Sequence, residues 1–126
     1  MARVFLEHVN ITVSDPRATA EMYKDLFGWH IRWSGKAIHD GDVYHVGEEN
    51  SYIAVYSLGG SDAVGNTYAT PGGLNHIGVV VEDLDAVEAK VKAAGFTPHS
   101  HADYDPGRRF YFDDADGIEI EVVSYS

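Results

Sequence analysis

The chain contains no cysteine among its 126 residues. Disulfides, thiolate metal sites and thiol nucleophiles are therefore excluded, and a reducing, cytoplasmic location is the expectation. Basic residues are scarce: nine Lys and Arg stand against twenty Asp and Glu, a formal charge of -11. Such a surface repels phosphate backbones, so nucleic acid is not an expected partner. Solubility is the plainer use of this charge, and attraction of a cationic ligand the sharper one. No apolar run approaches the roughly 20 residues that cross a bilayer as a helix, so no membrane partner is expected. The opening Met1-Ala2-Arg3-Val4-Phe5-Leu6-Glu7 turns acidic too early for a secretory leader and reads as a strand.

What is present is repetition. Shifted by 68 positions, Glu7-His8-Val9-Asn10-Ile11-Thr12-Val13 falls on Asn75-His76-Ile77-Gly78-Val79-Val80-Val81. Ser14-Asp15 falls on Glu82-Asp83, and helix-like stretches follow both, ending at Gly28 and Gly95. From there the offset is 67, and it aligns Tyr52-Ile53-Ala54-Val55 with Glu119-Ile120-Glu121-Val122. A repeat that nearly fills the chain predicts two copies of one supersecondary unit in a single domain. With 44% hydrophobic and 23% charged residues, the composition is that of an ordinary globular protein.

Local signals give each copy the order strand, helix, strand, strand, strand. In module one, residues 3–58, a strand is expected over Arg3 to Val13. Asp15-Pro16 caps a helix carrying Met22, Tyr23, Leu26 and Phe27. Strands follow at Trp29 to Trp33, Val43 to Val46 and Ser51 to Leu58, with turns at Gly41-Asp42 and Glu49-Asn50. Residues 59–73 read as a linker rich in Gly, Ser, Asn and Thr. Module two, residues 74–126, opens with a strand over Leu74 to Val81. Asp83 then caps a helix with the stripe Leu84, Val87, Val91 and Ala94. Phe96 is expected to open a strand, and His99 to Gly107 to form a polar loop. Arg108 to Asp113 and Ile118 to Ser126 are the last strands, joined by Asp114-Ala115-Asp116-Gly117. The fold class is α+β: two βαβββ modules whose curved mixed sheets pair into a cup or incomplete barrel.

Alternate strand residues share a face. The equivalent positions 8, 54, 76 and 121 read His, Ala, His and Glu, and symmetry would gather them in one cavity. Two imidazoles and a carboxylate at repeat-related points suit a divalent metal with open positions. The plainer reading is two hydrogen-bonded histidines and a solvent-facing glutamate. By parity with Tyr44, His45 is expected to point away from the cavity. His99 and His101 read as solvated loop residues.

The βαβββ pair, the strand-opening His8 and His76, and the ending Asp114-Ala115-Asp116-Gly117-Ile118-Glu119-Ile120-Glu121 resemble the vicinal oxygen chelate superfamily. That group includes glyoxalase I, bleomycin-resistance proteins, fosfomycin-resistance enzymes and extradiol dioxygenases. The resemblance implies His8, His76 and Glu121 as ligands of one divalent ion (Fe, Mn, Ni or Zn), with Glu119 the alternative if the register slips. Ala54 stands where glyoxalase I has a catalytic ligand, which argues against that reaction. The two His and one Glu match the dioxygenases and fosfomycin-resistance enzymes better. Tyr111 matches an active-site tyrosine in both, and an aromatic core residue is the competing reading. Asn10, Tyr44, Tyr52 and Tyr56 are expected to shape a pocket for a small-molecule substrate. The expected function is a small metal-dependent enzyme chelating vicinal oxygens, with dioxygenase-like or lyase/isomerase-like chemistry. The alternative is a metal-free protein that sequesters a cationic drug. A homodimer is also expected, with the site closed within one chain or across two.

Overall fold

A computed structural model of the chain describes residues 4–126 and divides it into two compact units, one up to Ser61 and one from Asp62. Arg3, where the first strand was expected to begin, lies outside the described residues.

Each unit is one βαβββ module. In the first, β1 (His8–Thr12), α1 (Pro16–Phe27), β2 (His30–Lys36), β3 (Asp42–Gly47) and β4 (Tyr52–Ser57) form a sheet in the order β1-β4-β3-β2. In the second, β5 (Ile77–Val80), α2 (Leu84–Ala93), β6 (His99–Tyr104), β7 (Gly107–Asp113) and β8 (Glu119–Ser124) form a sheet in the order β5-β8-β7-β6. Only β1·β4 and β5·β8 are parallel; the remaining ladders are antiparallel. Asn10 lies opposite Ala54, and Gly78 opposite Glu121. The repeat therefore holds at the level of register, and Ala54 and Glu121 occupy equivalent places.

The helices form where capping and apolar spacing coincide. The Asp15 carboxylate accepts from the Ala18 N–H at 3.1 Å, Pro16 fills the first turn, and Gly28 ends α1 at φ 72. Ala20, Tyr23 and Leu26 are buried on α1, which packs on β2, β3 and β4. Asp83 caps α2 in the same way, accepting from Ala86 N–H at 3.0 Å. Leu84 and Val91 are buried on α2, whereas Ala94 is exposed: it is the C-cap, past the last turn that packs. Phe110, Phe112, Ile120 and Val122 are buried on β7 and β8, the strands that α2 contacts. One face of each sheet is thus committed to its helix, and the other is left for the side chains of interest.

Several elements differ from the expectation. β1 and β5 are shorter than Arg3–Val13 and Leu74–Val81, because each pairs only with β4 or β8 and ends with that ladder. No strand opens at Phe96, whose ring packs 5.5 Å from Phe112. The strand lies instead at His99–Tyr104, in the stretch read as a loop. It is an edge strand with a register shift between His99 and Ala102 and Ser100 at φ 55, so hydrophobic alternation is broken. A short 3-10 turn, Ile38–Asp40, precedes β3. The linker also does more than connect. Its larger part belongs to the second unit, where Asn66 accepts from the N–H groups of Tyr68 and Ala69.

The turn between β7 and β8 fixes where the acidic ending lies. One oxygen of Asp114 accepts from Asp116 N–H and Ile118 N–H, both at 2.9 Å, and Gly117 adopts φ 77. The other oxygen is buried without a partner among the described residues. Burial raises the carboxyl's pKa, and the two backbone donors offset this only partly. Between the unfolded and folded pKa values the unfolded chain has lost its proton and the folded chain has kept it, so stability falls as pH rises through that window. Asp114→Ala, which removes both bonds, is expected to cost about 1–3 kcal/mol by urea unfolding. Asp114→Asn, which keeps an acceptor, should cost less and abolish that pH slope.

Candidate metal and ligand site

The face of the second sheet turned away from α2 carries Glu119 and Glu121 on β8, with Arg109, Tyr111 and Asp113 on β7. Cross-strand pairing sets Tyr111 opposite Glu121 and Asp113 opposite Glu119. His76, just before β5, brings Nε2 to 3.0 Å from Glu121 Oε1. Its Nδ1 lies 2.7 Å from Asn75 Oδ1, which can only accept, so Nδ1 carries a proton. Nε2 and the carboxylate oxygen then face each other as two acceptors unless a proton or a cation lies between them. An imidazole nitrogen and a carboxylate oxygen this close could both be offered to one divalent ion. The pair therefore fits a divalent ion.

Glu121 has a second partner that was not anticipated. Arg109 donates from NH1 to Glu121 Oε2 at 2.7 Å, and these side chains are only 10% and 12% exposed. Strand alternation from Tyr111 would have placed Arg109 on this face. Tyr111 meets His76 edge-on, with ring centroids 5.7 Å apart. Burial and the nearby Glu121 charge push the Tyr111 phenol's pKa up, so it keeps its proton and acts as a donor.

Glu119 belongs to a different group. It lies with His99 and Asp113, and one ligand atom from each falls within 4.8 Å of the others. His99 Nε2 is 3.3 Å from Asp113 Oδ1. Tyr68, from the segment read as a plain linker, donates its hydroxyl to Glu119. The carboxylate acceptor holds the phenolic proton, pushing the Tyr68 pKa up to about 12.

In the first module the equivalent face is aromatic. Ala54, in the place of Glu121, is 2% exposed and packs with Val43 and Tyr56. His8 stacks on Tyr52 at 4.8 Å, and His45 stacks on the same ring at 4.6 Å. Trp33 lies 5.1 Å from His45, and the Arg32 guanidinium sits 4.4 Å from the Tyr52 ring. His8 Nδ1 donates to Glu7 Oε1 at 2.8 Å, as His76 Nδ1 does to Asn75 Oδ1. Asn10 is exposed and opposite Ala54.

Two expectations about β3 are corrected. His45, opposite Ala54, shares the face of His8 and Tyr52. Tyr44 is on the other side, in a cleft with Pro16 and Arg17 of α1. Tyr56 is on the ligand side but buried, and its hydroxyl donates to the Ile38 carbonyl at 2.5 Å. Its role is to hold the turn before β3. Burial, followed by the charges of His8 and Arg32, lowers the His45 pKa, which favours its neutral form.

The family model described as Glyoxalase/Bleomycin resistance protein/Dioxygenase superfamily matches residues 5–122. No curated protein matches the sequence. Among solved structures, a glyoxylase/bleomycin resistance protein/dioxygenase domain from Frankia sp. EAN1pec is 24% identical over 98% of each chain, with a TM-score of 0.80. TnmS3, an antibiotic-binding protein from Streptomyces sp. CB03234, is 18% identical over 100% of this chain and 99% of its own, with a TM-score of 0.73. A variant of the fosfomycin resistance protein FosX from Listeria monocytogenes, complexed with Mn(II) and 1S,2S-dihydroxypropylphosphonic acid, is 20% identical over 97% and 93%, with a TM-score of 0.75. At these identities the likeness is one of fold.

The Tyr68–Glu119 contact gives a direct check on this face. Glu119→Gln removes the charge that holds the phenolic proton, so the Tyr68 pKa should fall from about 12 toward the ordinary 10. An ultraviolet difference titration against Tyr68→Phe isolates that one phenol among eight. An unchanged curve would mean that Tyr68 does not rest on Glu119.

Proposed function

Because this chain belongs to the Glyoxalase/Bleomycin resistance protein/Dioxygenase superfamily, we propose that it is a metal-dependent enzyme of that group acting on a small substrate with vicinal oxygens. His76 and Glu121 hold the ion. The observation that carries this reading is the facing of His76 Nε2 and Glu121 Oε1 at 3.0 Å, with Asn75 fixing the imidazole tautomer. A bound divalent ion supplies Lewis-acid stabilisation of negative charge developing on substrate oxygen.

The protein's own groups have separate parts. Asn75 and Glu7 orient the two histidines through Nδ1. Tyr111 donates a hydrogen bond to charge on the substrate, since its raised pKa retains the proton. Tyr52, flanked by His8 and His45, offers an apolar wall, and Asn10 a polar contact. Tyr44 has no part here, as it lies on the α1 side. The FosX variant is complexed with Mn(II), an ion that oxygen and nitrogen donors of this kind suit. The rival reading is a metal-free binder of a cationic drug. The stacked aromatics of the first module and the charge of -11 favour it, and TnmS3 shows that this fold serves an antibiotic-binding protein.

Calorimetry with Mn(II), Fe(II), Ni(II) and Zn(II) separates the two. One ion per chain is expected for the wild type. Glu121→Gln or His76→Ala should weaken binding by about tenfold or more, since loss of even a group that hydrogen-bonds to a ligand costs that much. Glu119→Gln should change it little. Binding should also fall in acid, because imidazoles ligate only when deprotonated. Equal losses from Glu119 and Glu121 would move the ion to the His99 group. No binding by the wild type would favour the drug-binding reading.

A further inference from the structure

We propose that Arg109 is a positioning residue that restricts Glu121 to one ligating oxygen and holds down the affinity of the His76–Glu121 pair for divalent ions. This rests on the metal reading above. The guanidinium is fixed at three points. NH1 donates to Glu121 Oε2 at 2.7 Å, NH2 donates to the Gly107 carbonyl at 3.1 Å, and the group lies 4.6 Å from the Tyr104 ring centroid. Nε is buried without a partner among the described residues. An arginine that gives up a donor in this way is placed by its other contacts, and the strongest of them is the carboxylate.

Register shows that the contact is not a simple cross-strand pair. Arg109 lies opposite Val123 and reaches one pleat diagonally to Glu121, whose own opposite residue is Tyr111. Its neighbour Arg108 points to the other side and ties to Asp85 of α2. Consecutive arginines thus serve different faces, and only Arg109 touches a candidate ligand.

Two consequences follow. With Oε2 held by the guanidinium, only Oε1 is free, and Oε1 is the atom that faces His76. The fixed positive charge also cancels the carboxylate's charge close to any ion. Neighbouring charges at such range change proton affinity by about ten- to a thousandfold, and a divalent cation feels the same field.

The test is titration of Mn(II) and Zn(II) into wild type, Arg109→Met and Arg109→Lys, with folding checked by cooperative unfolding and His76→Ala combined with each. Arg109→Met should bind at least tenfold more tightly, and Arg109→Lys should stay within about threefold of wild type because the charge is kept. Where Arg109→Met fails to fold, Arg109→Gln replaces it, with the same expectation. Tighter binding by the neutral variant, lost again when His76→Ala is combined with it, would support the proposal. Unchanged or weaker binding by a folded neutral variant, with wild-type binding still lost in His76→Ala, would overturn the proposal and leave the metal reading standing. Binding by none of them, or binding indifferent to His76→Ala, would overturn both.

Discussion

The polar face of the second module depends on one pairing, the parallel ladder between β5 and β8. Gly78 lies opposite Glu121 in that ladder, so the histidine two residues before Gly78 reaches the carboxylate. A one-residue slip would send Glu121 to the α2 side and bring Ile120 and Val122 out of the core, an exchange that burial forbids. The register is anchored from both directions. Ile120 and Val122 are fully buried beneath α2, and Asp114 closes the turn that starts β8. The geometry of the His76–Glu121 pair is therefore set by residues that take no part in it.

The same ladder in the first module carries a different chemistry. Asn10 opposite Ala54 repeats Gly78 opposite Glu121, yet the small side chain there packs into an apolar cluster. His8 and His76 keep one feature in common: the preceding residue, Glu7 or Asn75, accepts from Nδ1. The two modules thus share this feature of their imidazoles, while the face is acidic in one module and aromatic in the other.

Much of this was legible because capping and repetition are local signals. Asp15-Pro16, Gly28 and Asp83 define the helices without tertiary context, and the offset of the repeat places Ala54 and Glu121 on equivalent strands. What was missed was carried by pairing. β6 escaped notice because an exposed edge strand with a bulge has no alternation to read. The face of His45 was misassigned by reference to Tyr44, although the expected Glu49-Asn50 turn already pairs Glu48 with Ser51 and hence His45 with Ala54. Arg109 was two residues from Tyr111 and shared its parity. Its choice of Glu121 as partner depended on a diagonal contact, which strand parity alone does not specify.

Local charge at this face differs from what the whole chain suggests. The net charge of -11 implies a general attraction for cations, but a general field does not choose a site. At Glu121 the arginine cancels the carboxylate, and with both side chains mostly out of solvent, removing either would leave the other's charge without its partner. One pleat away, Asp113 and Glu119 face each other with His99 and the Tyr68 hydroxyl beside them. Like charges directly opposite are unfavourable on a sheet, so this outer pair is the more electronegative position. A cation drawn by charge alone would stop there. Binding at His76 and Glu121 instead requires a donor set of the right geometry and an ion that gains more from imidazole ligation than from bare charge, which favours a transition metal over a hard cation such as Ca(II).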